Sequence, residues 1–125
     1  MKCSRWLTAT FDIDRDTEFV GDDADQFSKL LDLGENYEFI TVVMGAAITS
    51  STLNPWVQMT EAISEVPVIV HVLDDDATGS FAHATTAATT QVAVTFRIGG
   101  IQYLRLRCGS NQAADRTMYV RGFNR

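Results

Sequence analysis

Apolar and polar positions alternate from residue 6 to residue 13, with Leu7, Ala9, Phe11 and Ile13 on one side and Trp6, Thr8 and Thr10 on the other. A period of two is the signature of a strand with one buried face. The acidic stretch 14–25, interrupted by Phe19-Val20 and carrying Gly21, reads as a turn. Residues 27–33 fit helical spacing at Phe27, Leu30 and Leu31. Their neighbours are strands, however, and Gly34-Glu35-Asn36 reads as a hairpin loop, so a strand is expected there too. Residues 37–48 contain Phe39-Ile40-Thr41-Val42-Val43-Met44, apolar on both faces and rich in β-branched and aromatic side chains, as in a central strand. Residues 49–55, with Asn54-Pro55, make a loop, after which 56–63 alternate with Val57, Met59 and Ile63 inward. Pro67 opens a strand over 68–73 that Asp74-Asp75-Asp76 and Gly79 close. The alanine- and threonine-rich segment 80–90 reads as a mobile loop, or as an arm that gains structure on binding.

The last third carries apolar segments at 92–98 and 101–108, joined at Gly99-Gly100, and a third at 118–123. A two-residue Gly99-Gly100 turn sets Val94 against Arg105 and Val92 against Arg107, placing charge on the apolar face. A three-residue loop, Ile98-Gly99-Gly100, instead sets Val94 against Leu104 and Val92 against Leu106, and this register is the one expected. It groups Tyr103, Arg105 and Arg107 on the solvent or partner side, with Tyr119 and Arg121 of the last strand extending the stripe. About eight strands with turn signals between them and no convincing long helix predict an all-β fold. The expected form is an antiparallel β-sandwich, jelly-roll-like, with the C-terminal strand tied into a sheet.

Composition bounds the picture. A chain of 125 residues suits a single domain over 1–125, and 46% hydrophobic residues supply enough burial to fold without staples. Cys3 and Cys108 are too few for a disulfide framework and lack metal-ligand spacing; both are expected reduced and buried. The N-terminus has no apolar run of signal length, and no stretch approaches the roughly 20 apolar residues of a membrane-spanning helix. Synthesis and folding in a cytoplasm are expected. Residues 1–76 hold four cations against fifteen acids, a net of −11, while 77–125 hold six arginines against Asp115, a net of +5. The overall −6 argues against nucleic acid and anionic membranes as partners. Two arrangements fit the split: the arginines pair with acids inside the monomer, or acidic and basic edges meet between subunits. The use of arginine alone in the basic third suits planar, bidentate pairing.

Candidate chemistry is sparse. Asp12, Asp14 and Asp16 match the start of a calcium loop, but Thr17 stands where glycine is needed and Asp23 where a bidentate glutamate is usual. Consecutive Asp74, Asp75 and Asp76 cannot all face one ion in an extended chain and read as a loop cap. His71 lies in an apolar strand and His83 in the alanine-rich segment. No serine or threonine has a nucleophile elbow, and no phosphate-cradling glycine loop or dinucleotide fingerprint is present. The chain is expected to be no enzyme, with no cofactor and no metal. Trp6, Trp56, Tyr37, Tyr103 and Tyr119 could offer stacking platforms for sugars or fill the core.

The stretch Phe96-Arg97-Ile98-Gly99-Gly100-Ile101-Gln102-Tyr103-Leu104-Arg105-Leu106-Arg107, with Ala113-Ala114-Asp115-Arg116 and Met118-Tyr119-Val120-Arg121-Gly122-Phe123, resembles small β-sandwich virion proteins of tailed bacteriophages. The resemblance covers roughly the last 35 residues, with residues 6–12 as a weaker echo. It implies a capsid decoration or cement protein that binds the outer shell, often as a trimer. The partners are then the major capsid protein or another virion protein, and the location is the virion. The register argument, rather than the family, nominates Arg97, Arg105, Arg107 and Arg121, with Tyr103 and Tyr119, as the contact stripe. Trp6 or Trp56 would be its apolar anchors, since rim charges alone contribute little. The alternatives are a carbohydrate-binding module of a tail or receptor-binding apparatus, and a neck or tail connector assembling as a ring.

Overall fold

The computed structural model describes residues 1–12, 26–45, 51–70, 84–86 and 91–125. Eight strands run through them: β1 (Lys2–Cys3), β2 (Leu7–Phe11), β3 (Leu31–Met44), β4 (Ser51–Gln58), β5 (Val68–Ile69), β6 (Ala84–Thr86), β7 (Val92–Cys108) and β8 (Arg116–Asn124). Every pairing among them is antiparallel, in the order β1-β8-β3-β7-β4-β5, with β2 also on β8 and β6 also on β4. The all-β antiparallel fold expected from the patterning is therefore what forms. Among the described residues the pairings run through one sheet.

Two long strands make this possible. β3 and β7 pair with each other at both ends but not in one register: Met44↔Val92 to Phe39↔Arg97 at one end, Leu31↔Leu104 and Asp32↔Tyr103 at the other. Between them each strand bulges in turn. β7 carries its extra residues at Gly99 and Gly100, whose φ values of 78° and 85° lie in the left-handed region that favours glycine. β3 bulges around Gly34, where Asp32 Oδ1 accepts hydrogen bonds from Gly34 N at 2.8 Å and from Gln102 Nε2 at 2.9 Å. Bulges bend a strand, and the two halves of the sheet close over one core. That core joins Ala9, Phe11, Ile40, Val42, Phe96, Met118 and Val120 from one half to Leu31, Leu53, Leu104, Leu106 and Cys108 from the other.

These pairings correct several expectations. Gly99-Gly100 does not turn a hairpin, so Val94 pairs with Val42 rather than Leu104, and Val92 with Met44 rather than Leu106. Consecutive left-handed glycines are shared by tight turns and bulges, and the long partner strand β3 decides between them. Gly34-Glu35-Asn36 likewise lies inside β3. Asn54-Pro55 lies inside β4; Pro55 sits between the stretch that pairs β6 and the stretch that pairs β5, where its missing N–H costs no ladder bond. Residues 84–86, expected in a loop, form β6. Val57 packs on the core as expected, but β4 ends at Gln58, leaving Met59 and Ile63 87% and 59% exposed. Cys108 is buried as expected and Cys3 is exposed. The acidic stretch after Asp12, Asp74-Asp75-Asp76, His71 and His83 lie outside the described residues.

Candidate functional site

Residues directly opposite in an antiparallel pair share a face, so Asn54 and Arg107, Trp56 and Arg105, and Gln58 and Tyr103 form one surface on β4 and β7, away from the core. That surface is covered. Residues 26–28 run along β7: Cys108 N donates to Gln26 O and Ser28 N to Leu106 O, each at 2.8 Å, and Leu106 N donates to Ser28 Oγ at 2.9 Å. Phe27 is thereby laid beside Trp56, edge to face at 5.4 Å. The Arg107 guanidinium lies 5.0 Å from the Phe27 ring and 4.7 Å from the Trp56 ring, and its Nε and Nη2 donate to Gln26 Oε1 at 3.0 and 2.8 Å. Trp56 Nε1 is buried and meets no hydrogen-bond partner among the described residues.

Arg105 is wholly buried. Its guanidinium donates to Gln58 Oε1 at 3.4 Å, Ser28 O at 3.2 Å and Ile63 O at 3.2 Å, tying β4, the 26–28 segment and the loop after β4 to one side chain. Gln58, also buried, donates through Nε2 to Thr60 O at 2.9 Å and Ala62 O at 2.8 Å. Glu65 completes the loop by accepting from Met59 N, Thr60 N and Thr60 Oγ1 at 2.7, 3.0 and 2.6 Å. The Thr60 hydroxyl first, then the Met59 amide, hold its carboxyl below the usual glutamate range. Arg105 was expected on the solvent or partner side and is instead a structural anchor. The alternation placed it correctly off the core face, but the 26–28 segment and the 59–67 loop close over that face.

Among the described residues no segment comparable to 26–28 crosses the outer face of the other half. On it Phe39 lies between Phe123 and Arg97, Thr41 between Arg121 and Thr95, and Val43 between Tyr119 and Ala93. Phe39 and Phe123 stack at 5.1 Å, with Arg125 4.9 Å from the Phe39 ring. Arg97 pairs with Glu38 at 3.2 Å within the chain, as in the arrangement that keeps the charges inside the monomer. Arg121 lies 4.6 Å from the Trp6 ring, and its buried Nε meets no hydrogen-bond partner among the described residues. Trp6 and Tyr119 are 45% and 49% exposed, and with Val43 they line an apolar cleft of about 200 Å3.

The eight nominated residues thus divide. Arg97, Arg121, Tyr119 and Trp6 share the open face; Tyr103, Arg105, Arg107 and Trp56 lie on the covered one. Sequence reasoning missed Val43, which pairs with Tyr119 only because β3 neighbours β8, and the anchors Gln58 and Ser28, for which no local signal exists. Among the described residues no three His, Cys, Asp or Glu side chains are grouped to hold a metal ion.

No protein-family model and no curated protein matches the sequence. Among solved structures the fold is similar to the crystal structure of SPBc2 prophage-derived protein YomS, with a TM-score of 0.51 and 12% identity over 98% of this chain and 95% of that one. At that identity the likeness is one of fold.

Proposed function

We propose that the chain is a non-enzymatic structural protein of a tailed-phage particle, of the capsid decoration or cement kind, which binds the major capsid protein or another virion protein and associates with its own copies. One observation carries the reading: the fold matches that of a prophage-derived protein over nearly the whole of both chains. The chemistry is in keeping with it, since the outer face of β3 and β8 presents an apolar cleft with the Arg121 guanidinium beside it, a pairing suited to contact with another protein. The open face, with Trp6 and Tyr119 as anchors and Arg121 beside them, is the contact surface in this reading. Mass spectrometry of particles purified from the phage or induced prophage that carries the gene is expected to find the chain in many copies per particle. Its absence from intact particles would refute the reading.

A carbohydrate-binding role draws on the same exposed pair. A glycan hit lost on Trp6→Ala would favour it, since Trp56 is packed against Phe27 and Arg107 instead of facing solvent.

A further inference from the structure

Met59, Ile63, Val66 and Val68 are 87%, 59%, 55% and 60% exposed, four apolar side chains within ten residues of chain. The backbone that presents them is fixed. Glu65 holds Met59 N and Thr60 N, Gln58 holds Thr60 O and Ala62 O, and the buried Arg105 holds Ile63 O. A loop that turns four apolar side chains mostly to solvent, yet is pinned from beneath by the buried Arg105 and Gln58, is a pre-organised knob, because the ordering entropy of binding has been spent in folding. On the outer face of β3 and β8, the shallow Trp6–Val43–Tyr119 cleft is its converse: an apolar depression that an aliphatic side chain can cover. Charge matches as well as shape. The knob carries exposed Glu61, and Arg121 lies over the Trp6 ring of the cleft.

We infer that copies of this chain associate head to tail, the 59–68 loop of one copy seating in the Trp6–Val43–Tyr119 cleft of the next. Knob and cleft are each exposed in the chain that carries them, so neither covers the other internally. Two different patches meeting make a heterologous contact, which closes into a ring when the rotation permits. The cleft's apolar lining suits an aliphatic side chain better than a sugar, which needs polar partners for its hydroxyls. This inference rests on the structural-protein reading for its biological sense, but its test does not.

The experiment pairs two variants in light scattering after size exclusion. Met59→Glu with Ile63→Glu disables the knob, and Trp6→Ala with Tyr119→Lys disables the cleft. All four positions are at least 45% exposed, and an unchanged far-ultraviolet circular dichroism spectrum confirms folding. If the cleft variant fails that check, Tyr119→Lys alone takes its place. Wild type is expected to be oligomeric, and each variant monomeric with self-association weakened at least about tenfold. An equimolar mixture of the two is expected to give a dimer, since each retains the half the other lost. A wild type that stays monomeric at millimolar concentration, an oligomer that survives either variant, or a mixture that stays monomeric overturns the inference. A chain abundant in particles but monomeric in solution refutes this contact and leaves the function standing; an oligomer absent from particles does the reverse.

Discussion

Arg107 between Phe27 and Trp56, and Arg121 over Trp6 beside Tyr119, are built from the same residue types on the same side of the sheet, yet one is enclosed and the other faces solvent. The difference lies in what crosses them. The 26–28 segment and the 59–67 loop close over the first cluster, drawn down by Arg105 through two carbonyls and Gln58. Among the described residues no comparable cover lies over the second, where Trp6 and Tyr119 remain about half exposed. An arginine and aromatic stripe on a strand is therefore not one kind of object. Enclosed, it attaches loops to a sheet; open, it is a surface for another molecule.

The sharpest way to break that contrast is to truncate one arginine from each region. Arg105→Ala removes the donor to Ser28 O and Ile63 O and leaves a cavity among buried polar groups, at an expected cost of about 3 kcal/mol in urea unfolding. Faster hydrogen exchange of the Met59 and Thr60 amides should accompany it, because the loop loses its anchor. Arg121→Ala removes a cation–π contact at a half-open site and should cost no more than about 1 kcal/mol. Equal losses in the two variants would show that the open cluster is as structural as the enclosed one.

One residue along β8 the tolerance is expected to end. Gly122 faces inward against Tyr37, and a Cβ there would stand 2.7 Å from the ring's Cγ and Cδ2. Tyr37 is buried among core side chains and cannot swing away, so Gly122→Ala should destabilise by about 2 kcal/mol, measured by the same unfolding experiment. A neutral result would mean that β8 shifts freely beneath the open cluster, and the cleft would then be too plastic to select a partner.

How far the residues disclosed all this follows from the same contrast. The strand character of 7–11 and the outward face of Trp6, Thr8 and Thr10 follow from period-two alternation, and the central position of 37–44 from a run apolar on both faces; both are local properties. Which strand Gly99-Gly100 bends toward is not local. Left-handed glycines serve turns and bulges alike, and only the long partner β3 settles the matter. The enclosure of Arg105 was illegible for a related reason: alternation assigns a face to a side chain but is silent on whether a distant segment, here 26–28, will cross that face. Met59 and Ile63 misled in the opposite sense, since apolar alternation continued past the end of β4 into a loop that turns them to solvent.

The smallest expected effect tests the loop itself. Glu65 is the carboxylate that closes the 59–67 loop, and hydrogen bonds from Thr60 and Met59 hold its folded-state pKa below the usual glutamate value. A depressed carboxylate contributes stability that is present above its unfolded pKa and lost as pH falls through its folded one. Glu65→Gln should therefore melt slightly lower than wild type at neutral pH. The gap should close on acidification past the ordinary carboxylate range, once Glu65 in the wild type is protonated as well. Trp6→Ala in the open cluster changes no titrating group, so its gap from wild type should stay constant over the same range. If the Glu65→Gln gap persists unchanged in acid, the carboxylate holds the loop by its shape and not its charge, and the knob it presents would keep its form at every pH.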